Sequence, residues 1–180
     1  MTRIAIVGAG LAGLTAAKIL HDYADVTVFE KARSVSGRMS TRRAQPYFFD
    51  HGAQFFTART SEFKTLVSEL IEEGVVSRWD ARFVEIENQT ITKKRLWDAD
   101  YPHYVGVPGM SAIGKYLSQE TKVELETHIQ TIEKSGKKWR LTDNQGNIFG
   151  EFDWVLFAIP AEQAANILPS SHPLCLSTKR

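Results

Sequence analysis

Three glycines near the N-terminus have the spacing of a phosphate-binding turn. Gly8, Gly10 and Gly13 complete a G-x-G-x-x-G pattern between an apolar run, residues 4–7, and an Ala- and Leu-rich stretch. The first glycine allows a tight turn, the second lets backbone approach a pyrophosphate, and the third lets a helix and a strand pack closely. Free N–H groups at the start of the helix attract phosphate. In this setting the pattern indicates dinucleotide binding.

An acidic residue lies where such a site would hold a ribose. Glu30 ends a β-branched run, 17 residues after Gly13 and 22 after Gly8. A carboxylate at that position accepts hydrogen bonds from the adenosine ribose. Because it would repel a 2′-phosphate, it favours FAD or NAD over NADP, although the basic Lys31 and Arg33 weaken that preference.

Two motifs that follow the acid distinguish a flavin from a nicotinamide cofactor. They are Ser36-Gly37-Arg38-Met39 and Asp50-His51-Gly52-Ala53-Gln54. A guanidinium offers fixed donors to phosphate or ribityl oxygens, and a glycine lets backbone approach the isoalloxazine edge. A nicotinamide-dependent dehydrogenase has no evident use for either motif at this place. The pair therefore favours FAD over NAD.

The elements that must position these motifs indicate an α/β fold. A strand over 4–7, a helix over 11–20 and a strand over 26–30 form one βαβ unit. The remaining predicted elements are a helix over 63–71, strands over 79–86 and 90–97, a helix over 113–117, a strand over 122–125, a β-meander at 128–132, 138–141 and near 148, a strand over 154–158 and a helix over 161–168.

Composition excludes several classes of protein. The 180 residues carry 22 Lys and Arg against 21 Asp and Glu, so a broad basic surface for nucleic acid or anionic membrane is not expected. The longest apolar runs are shorter than the ~18 residues of a membrane span, and the N-terminus lacks a signal-peptide core. The single cysteine, Cys175, excludes a cysteine-based metal site. We expect a cytoplasmic protein that holds no metal and acts on a small molecule.

The motifs together resemble the flavin-containing amine oxidase superfamily, and most of all its renalase-like branch of FAD-dependent oxidoreductases. The resemblance covers nearly all of residues 3–168. It is carried by residues 8–13 (GAGLAG), 28–31 (VFEK), 36–42 (SGRMSTR), 49–56 (FDHGAQFF), 107–113 (VPGMSAI) and 157–161 (FAIPA).

The resemblance implies which residues would contact FAD. Among them, Ile129 matches a position whose backbone meets the adenine, and Ala158 would lie close to the dinucleotide. The full set is Gly8, Gly10, Leu11, Ala12, Gly13, Glu30, Lys31, Gly37, Arg38, Met39, Gly52, Ala53, Gln54, Ile129 and Ala158.

The resemblance also implies the domain organisation. A Rossmann-like FAD/NAD(P)-binding domain with a β-meander would be interleaved with part of a second, α+β substrate domain. Residues 1–58 and 109–168 would form the FAD-binding domain, 59–108 the partial substrate domain, and 169–180 an irregular tail.

The activity implied is a two-electron oxidation of a dihydronicotinamide-type or amine substrate, with O₂ as acceptor and H₂O₂ as product. The catalytic residue is unknown from sequence. His51 could hold a proton near the flavin, although a histidine in a loop motif is more often a structural hydrogen-bonding group. Trp79, Trp97 and Tyr104 could wall a substrate cavity, although aromatics on strands more often serve packing. A non-catalytic or truncated FAD- or ADP-binding module and an NAD-dependent dehydrogenase are the alternatives.

One departure from the family bears on partners. Family members close the FAD site with a C-terminal Gly-Asp segment, and no such pair follows Phe157 here. We therefore expect the N-terminal half of a longer enzyme, a truncated product, or a half whose apolar sheet surface is covered in a dimer or by a second chain.

Overall fold

The computed structural model describes residues 1–96, 100–169 and 172. Trp97, Cys175 and most of the expected tail over 169–180 lie outside these residues. Within the chain two compact units are separated, one made of Met1–Arg38 with Gly114–Arg180 (unit 1) and one made of Met39–Ile113 (unit 2). Unit 2 is thus inserted into unit 1 along the sequence.

The described elements begin with a strand, a helix and a second strand, and runs of consecutive strands follow. In chain order they are β1 (Arg3–Val7), α1 (Leu11–Leu20), β2 (Asp25–Phe29), a 3₁₀ turn (Gly37–Met39), β3 (Thr41–Ala44), β4 (Tyr47–Asp50), β5 (Phe56–Thr57), α2 (Ser61–Glu72), β6 (Val76–Arg78), β7 (Arg82–Glu87), β8 (Thr90–Leu96), β9 (His103–Gly106), α3 (Ser111–Leu117), β10 (Lys122–Glu124), β11 (Ile129–Ser135), β12 (Lys138–Asp143), β13 (Ile148–Phe152), β14 (Trp154–Phe157) and α4 (Ala161–Ile167).

Unit 1 is built on a four-stranded parallel sheet with the order β10-β2-β1-β14. The central strand β1 is a continuous apolar run because both of its faces are covered, and Ala5 and Ile6 are fully buried. Helix α1 buries Leu14 and Ala17. Both predicted strands of the βαβ unit and the helix between them are confirmed, so this part of the fold follows from local pattern.

The β-meander of unit 1 is also confirmed. Strands β11, β12 and β13 pair antiparallel in sequence order. The ring of Phe29, at the end of β2, makes edge contacts with Phe149 and Phe152 at centroid distances of 5.0 and 5.9 Å. Leu141 is fully buried in the same apolar cluster. This cluster links the meander to the parallel sheet. It thereby fixes the position of Phe29, the last residue of β2, which Glu30 directly follows.

Unit 2 contains the β3–β4 hairpin, a three-stranded sheet with the order β5-β9-β6, and the β7–β8 hairpin. Helix α2 begins after Thr60, whose side chain accepts a hydrogen bond from the Phe63 N–H at 3.3 Å. Val67 and Leu70 of its apolar stripe are buried, whereas Ile71 is 42% exposed. The apolar face of α2 is therefore only partly buried in the core.

Two details of unit 2 differ from the sequence expectation. The strand expected over 79–86 begins at Arg82, and a separate strand, β6, precedes it at Val76–Arg78. Strand β9 was not expected, since its four residues are too few for an alternating pattern and its partners β5 and β6 are distant in sequence. The structural boundaries at 38/39 and 113/114 are those of compact units, so the domain bounds 1–58, 59–108 and 109–168 stay a prediction.

Candidate functional site

The glycine turn closes β1 against α1 in a way that requires two of its glycines. Gly8 has φ +106°, and a Cβ there would lie 2.8 Å from the Ala158 carbonyl oxygen. A Cβ on Gly13 would lie 2.0 Å from the Gly8 carbonyl oxygen and 3.1 Å from the Ala158 Cβ. These contacts bring the turn, the first turn of α1 and the residue after β14 into one close-packed group.

Gly10 serves a different purpose, because the space beside it is open. Among the described residues, apart from Gly10 itself and its two chain neighbours, no heavy atom lies within 4 Å of the position where its Cβ would be. Gly10 is the N-cap of α1, extended at φ −78° and ψ −179°, and no side chain caps it. The N–H groups of the first helical turn, beginning with Leu11 and Ala12, lack an intrahelical partner. The N-terminus of α1 is therefore a donor-rich end with open space beside it, which suits a phosphate.

Glu30 is buried and held in a defined orientation beside this turn. It is 8% exposed, its Oε2 accepts a hydrogen bond from the Ala9 N–H at 2.8 Å, and its Oε1 accepts one from the Ala32 N–H at 2.9 Å. Each carboxylate oxygen keeps capacity for a further donor. The side chain can thus accept hydrogen bonds from hydroxyl groups without reorienting.

A third segment, which contains Ser36 and Gly37, contacts the glycine turn. The Ser36 N–H donates to the Ala9 carbonyl at 2.9 Å, and Ser36 is 1% exposed with φ +98°. A Cβ on Gly37 would lie 3.3 Å from the Gly10 Cα, so Gly37 passes directly over Gly10. Arg38 follows with an exposed side chain. Ser36 was not singled out in the sequence, since its role depends on a left-handed backbone that its residue type does not indicate.

The basic residues after Glu30 are exposed. The Lys31 Nζ donates to the Gln163 Oε1, on α4, at 3.2 Å. Its charge is thus engaged by a neighbouring helix.

The two remaining residues expected in unit 1 lie near the same edge of the sheet. Ile129, the first residue of β11, is 1% exposed and packs in the core. The segment before it is tied to the acid, since the Thr127 N–H donates to the Glu30 carbonyl at 2.9 Å. The Ala158 N–H donates to the Val7 carbonyl at 2.9 Å. Unit 1 therefore gathers its expected site residues at the carboxyl ends of β1, β2 and β14, where α/β sheets bind ligands.

The other expected residues belong to unit 2. Met39 is buried, and Gly52, Ala53 and Gln54 form an exposed to half-buried stretch after β4. His51 is exposed, and its Nε2 lies 3.2 Å from the Ser40 Oγ. That hydrogen bond favours the structural interpretation of His51.

A hydrogen-bonded cluster in unit 2 had no counterpart in the sequence analysis. The Thr41 Oγ1 donates to the Asp50 Oδ1 at 2.5 Å, and the same oxygen of Asp50 accepts from the Met110 N–H at 3.0 Å. The Thr41 Oγ1 in turn accepts from the Ser111 N–H at 3.0 Å. The pairing depends on the hairpin register, so residue types alone could not indicate it.

The aromatic residues of unit 2 contact one another. The Trp79 ring lies 5.9 Å from the Phe55 ring, and the Tyr104 ring lies 5.6 Å from the Phe56 ring. The described residues contain no group of three or more potential metal-ligating side chains. Among the same residues, no helix is long and apolar enough to cross a membrane.

Known proteins are similar to this chain in sequence and in fold. A family model described as an NAD(P)-binding Rossmann-like domain matches residues 6–70. Renalase from Mus musculus is 26% identical over 176 residues, which cover 91% of this chain and 48% of renalase. A crystal structure from Exiguobacterium sp. 255-15, of a protein assigned as a protoporphyrinogen oxidase, superposes with a TM-score of 0.68 at 15% identity. The match covers 98% of this chain and 63% of that one.

These matches agree with the arrangement of the site. The chain spans about half the length of the renalase it matches, 48%. The family-model match begins in β1 and includes the glycine turn, Glu30 and the Gly37–Arg38 segment. The chain therefore has a Rossmann-like fold in its N-terminal part and is similar, over 91% of its length, to renalase.

Proposed function

We propose that this chain carries the FAD-binding part of an oxidoreductase. The reaction would pass two electrons from the substrate to O₂, giving H₂O₂. A dihydronicotinamide-type substrate would lose them as a hydride, with the second proton of H₂O₂ taken from water, whereas an amine would lose two electrons and two protons and become an imine. The observation that carries the proposal is the pairing of an uncapped, open helix N-terminus at Gly10 with the oriented carboxylate of Glu30. Phosphate and ribose are the groups that such a pair binds.

The residues of unit 1 fit the adenosine diphosphate half of the cofactor. The Leu11 and Ala12 N–H groups would donate to the diphosphate, Gly10 would leave space for it, and Glu30 would accept from the ribose. The exposed Arg38 would add a charge-assisted contact. Gly8 and Gly13 act indirectly, since they allow the close packing of the turn against α1 and Ala158.

In unit 2 the proposal assigns the flavin contacts to Met39 and to the stretch Gly52, Ala53 and Gln54. FAD, when bound, would supply two-electron acceptor chemistry that the protein's side chains lack. His51 stays a candidate for a proton-holding group, although its pairing with Ser40 offers a structural explanation.

Similarity to the renalase-like branch supports a dihydronicotinamide isomer over a biogenic amine as the substrate. Anaerobic stopped-flow measurement of flavin absorbance tests this preference. We expect rapid reduction by dihydronicotinamide isomers and slow reduction by primary amines. The opposite order would assign the chain to amine oxidation.

A second candidate, a dinucleotide-binding module without catalysis, is favoured by one specific observation. The residues that fit adenosine diphosphate, which are Gly10, Leu11, Ala12 and Glu30, all belong to unit 1, so they would bind it without contacts from unit 2. Under this second proposal, a dimer or a second chain would supply the remaining part of the enzyme.

Visible absorbance of the purified chain, with identification of nucleotide released on heating, tests the cofactor. Release of FAD and absorbance bands at about 375 and about 450 nm are expected of a flavoprotein. A colourless protein that binds ADP but no added FAD would indicate the binding module. Uptake of NAD without FAD would instead indicate a dehydrogenase.

A further inference from the structure

We infer that the Thr41–Asp50 pair is a positioning device for the stretch Gly52 to Gln54, which the proposed function assigns to the flavin. The inference rests on that function, and it concerns residues of unit 2 alone. Its basis is the place of the pair in the β3–β4 hairpin. Thr41 is the first residue of β3 and Asp50 the last of β4, and the two are register partners.

The pair therefore lies at the open end of the hairpin, where the chain leaves toward Gly52. The direct bond from the Thr41 hydroxyl to the Asp50 carboxylate is 2.5 Å long, and both residues are half-buried. A hydrogen bond to a carboxylate is stronger than a neutral one, more so where water is partly excluded. The direction in which the chain leaves β4 is fixed by this bond.

The same two side chains also bind a second backbone segment. Asp50 accepts the Met110 N–H and Thr41 accepts the Ser111 N–H, each at 3.0 Å. A Cβ on Gly109 would lie 2.8 Å from the Thr41 Cγ2 and 3.2 Å from the Asp50 Oδ1. The segment of residues 109–111 thus presses directly on the pair and limits its movement. Both strands of the hairpin and a segment 60 to 70 residues later thus share one hydrogen-bonded centre.

The neighbouring Ser40–His51 contact closes the hairpin a second time, one residue further out. It is longer, 3.2 Å, and both side chains contribute to an exposed contact. The Thr41–Asp50 pair is therefore the better shielded of the two constraints on the residues that lead to Gly52.

The test compares FAD and ADP affinities of the full chain and three variants. Thr41→Val keeps the side-chain shape and removes the hydroxyl, and Thr41→Ser restores the hydroxyl without the methyl group. Thr92→Val makes the same change at an exposed residue of unit 2, whose hydroxyl donates to the Glu85 carbonyl at 3.2 Å. We expect Thr41→Val to weaken FAD binding about tenfold and to shift the visible spectrum of the bound flavin. ADP affinity should stay unchanged, and Thr41→Ser and Thr92→Val should resemble the wild type.

Three outcomes would overturn the inference. FAD affinity and spectrum unchanged in Thr41→Val would mean that the hydroxyl positions nothing at the flavin. Equal losses of FAD and ADP affinity, or loss of the cooperative unfolding transition, would show a general structural role. A wild-type chain that binds ADP but no FAD would reject the proposed function, and the inference with it.

Discussion

At the scale of single residues, Gly10 and Gly13 should respond in opposite ways to the same substitution. Gly13→Ala places a methyl group 2.0 Å from the Gly8 carbonyl oxygen. Overpacking costs about 1–3 kcal/mol, which outweighs the helix propensity gained from alanine, so the free energy of unfolding should fall. Gly10→Ala meets open space and should change it by less than about 1 kcal/mol, yet ADP affinity should fall at least tenfold.

Urea unfolding and calorimetric titration with ADP measure both variants. The two substitutions serve as controls for each other, since they add the same group three positions apart. An unstable Gly10→Ala variant, or one that binds ADP normally, would contradict the assignment of the open space to a phosphate.

The carboxylate of Glu30 should contribute to both stability and binding. Glu30→Gln replaces one acceptor oxygen by an NH₂ group that faces a backbone N–H, either that of Ala9 or that of Ala32. A buried unsatisfied donor costs about 1–3 kcal/mol, so the free energy of unfolding should fall by that amount and ADP affinity should decrease. Glu133→Gln, at an exposed position of β11, is the matched control. Identical behaviour of the two variants would refute the role.

Residue types indicated the acid and the glycines but not everything that positions them. Glu30 was expected from its distance to Gly13, and the structure places its carboxylate beside the turn. Ser36 and Thr41 could not be identified in this way. Ser36 acts through its left-handed backbone. Thr41 acts through its register with Asp50 and through its hydrogen bond with Ser111, which lies 70 residues later. Tertiary pairing, which no local pattern encodes, creates both roles.

At the scale of elements, the same division between local and distant causes recurs. Helix α1 has the expected bounds, residues 11–20, because its apolar spacing and the glycines before it are local signals. Strand β9 was missed because its central place between β5 and β6 is set by pairing across the chain. In this chain, a short strand whose partners lie far away in sequence is therefore harder to predict than the strands of the local βαβ unit.

The turn between β12 and β13 should make stability depend on pH. Burial raises the pKa of the Asp143 carboxyl, but hydrogen bonds from Asn147 and Gln145 outweigh it, so the pKa lies below its ordinary value. A carboxyl with a depressed folded-state pKa stabilises the fold above its unfolded pKa, and this contribution is lost as the pH falls through the folded value. The free energy of unfolding should therefore decrease from about pH 5 to about pH 3.

Urea unfolding of the wild type and Asp143→Asn across this range provides the measurement. The variant should be less stable at neutral pH and lose less stability on acidification. Some dependence should remain, because the pKa values of Asp153 and Glu62 are also lowered. Parallel pH profiles for the two proteins would exclude Asp143 as a contributor.

At the scale of the whole molecule, the edge of the parallel sheet should promote association. Strand β14 is an outer strand of the order β10-β2-β1-β14. Trp154 and Leu156, alternate residues of that strand, are 68% and 40% exposed. Large apolar side chains on a sheet edge favour pairing with another chain. We expect the average mass in sedimentation equilibrium to rise with protein concentration.

A double variant, Trp154→Lys and Leu156→Lys, should suppress this association, because lysine on an edge strand opposes pairing. Ile19→Lys removes an equally exposed apolar group, 63% exposed, from α1 of the same unit and should leave the association intact. Association that persists in the double variant would place the contact elsewhere.

The placement of β1 between β2 and β14 has a consequence for the order in which the protein matures on the ribosome. The Arg3 N–H donates to the Asp153 carboxylate, 150 residues later, and the glycine turn packs against Ala158. A nascent chain can form the first βαβ unit early, but one side of β1 stays unpaired until β14 has been synthesised. The proposed dinucleotide site is therefore completed only after unit 2 has emerged.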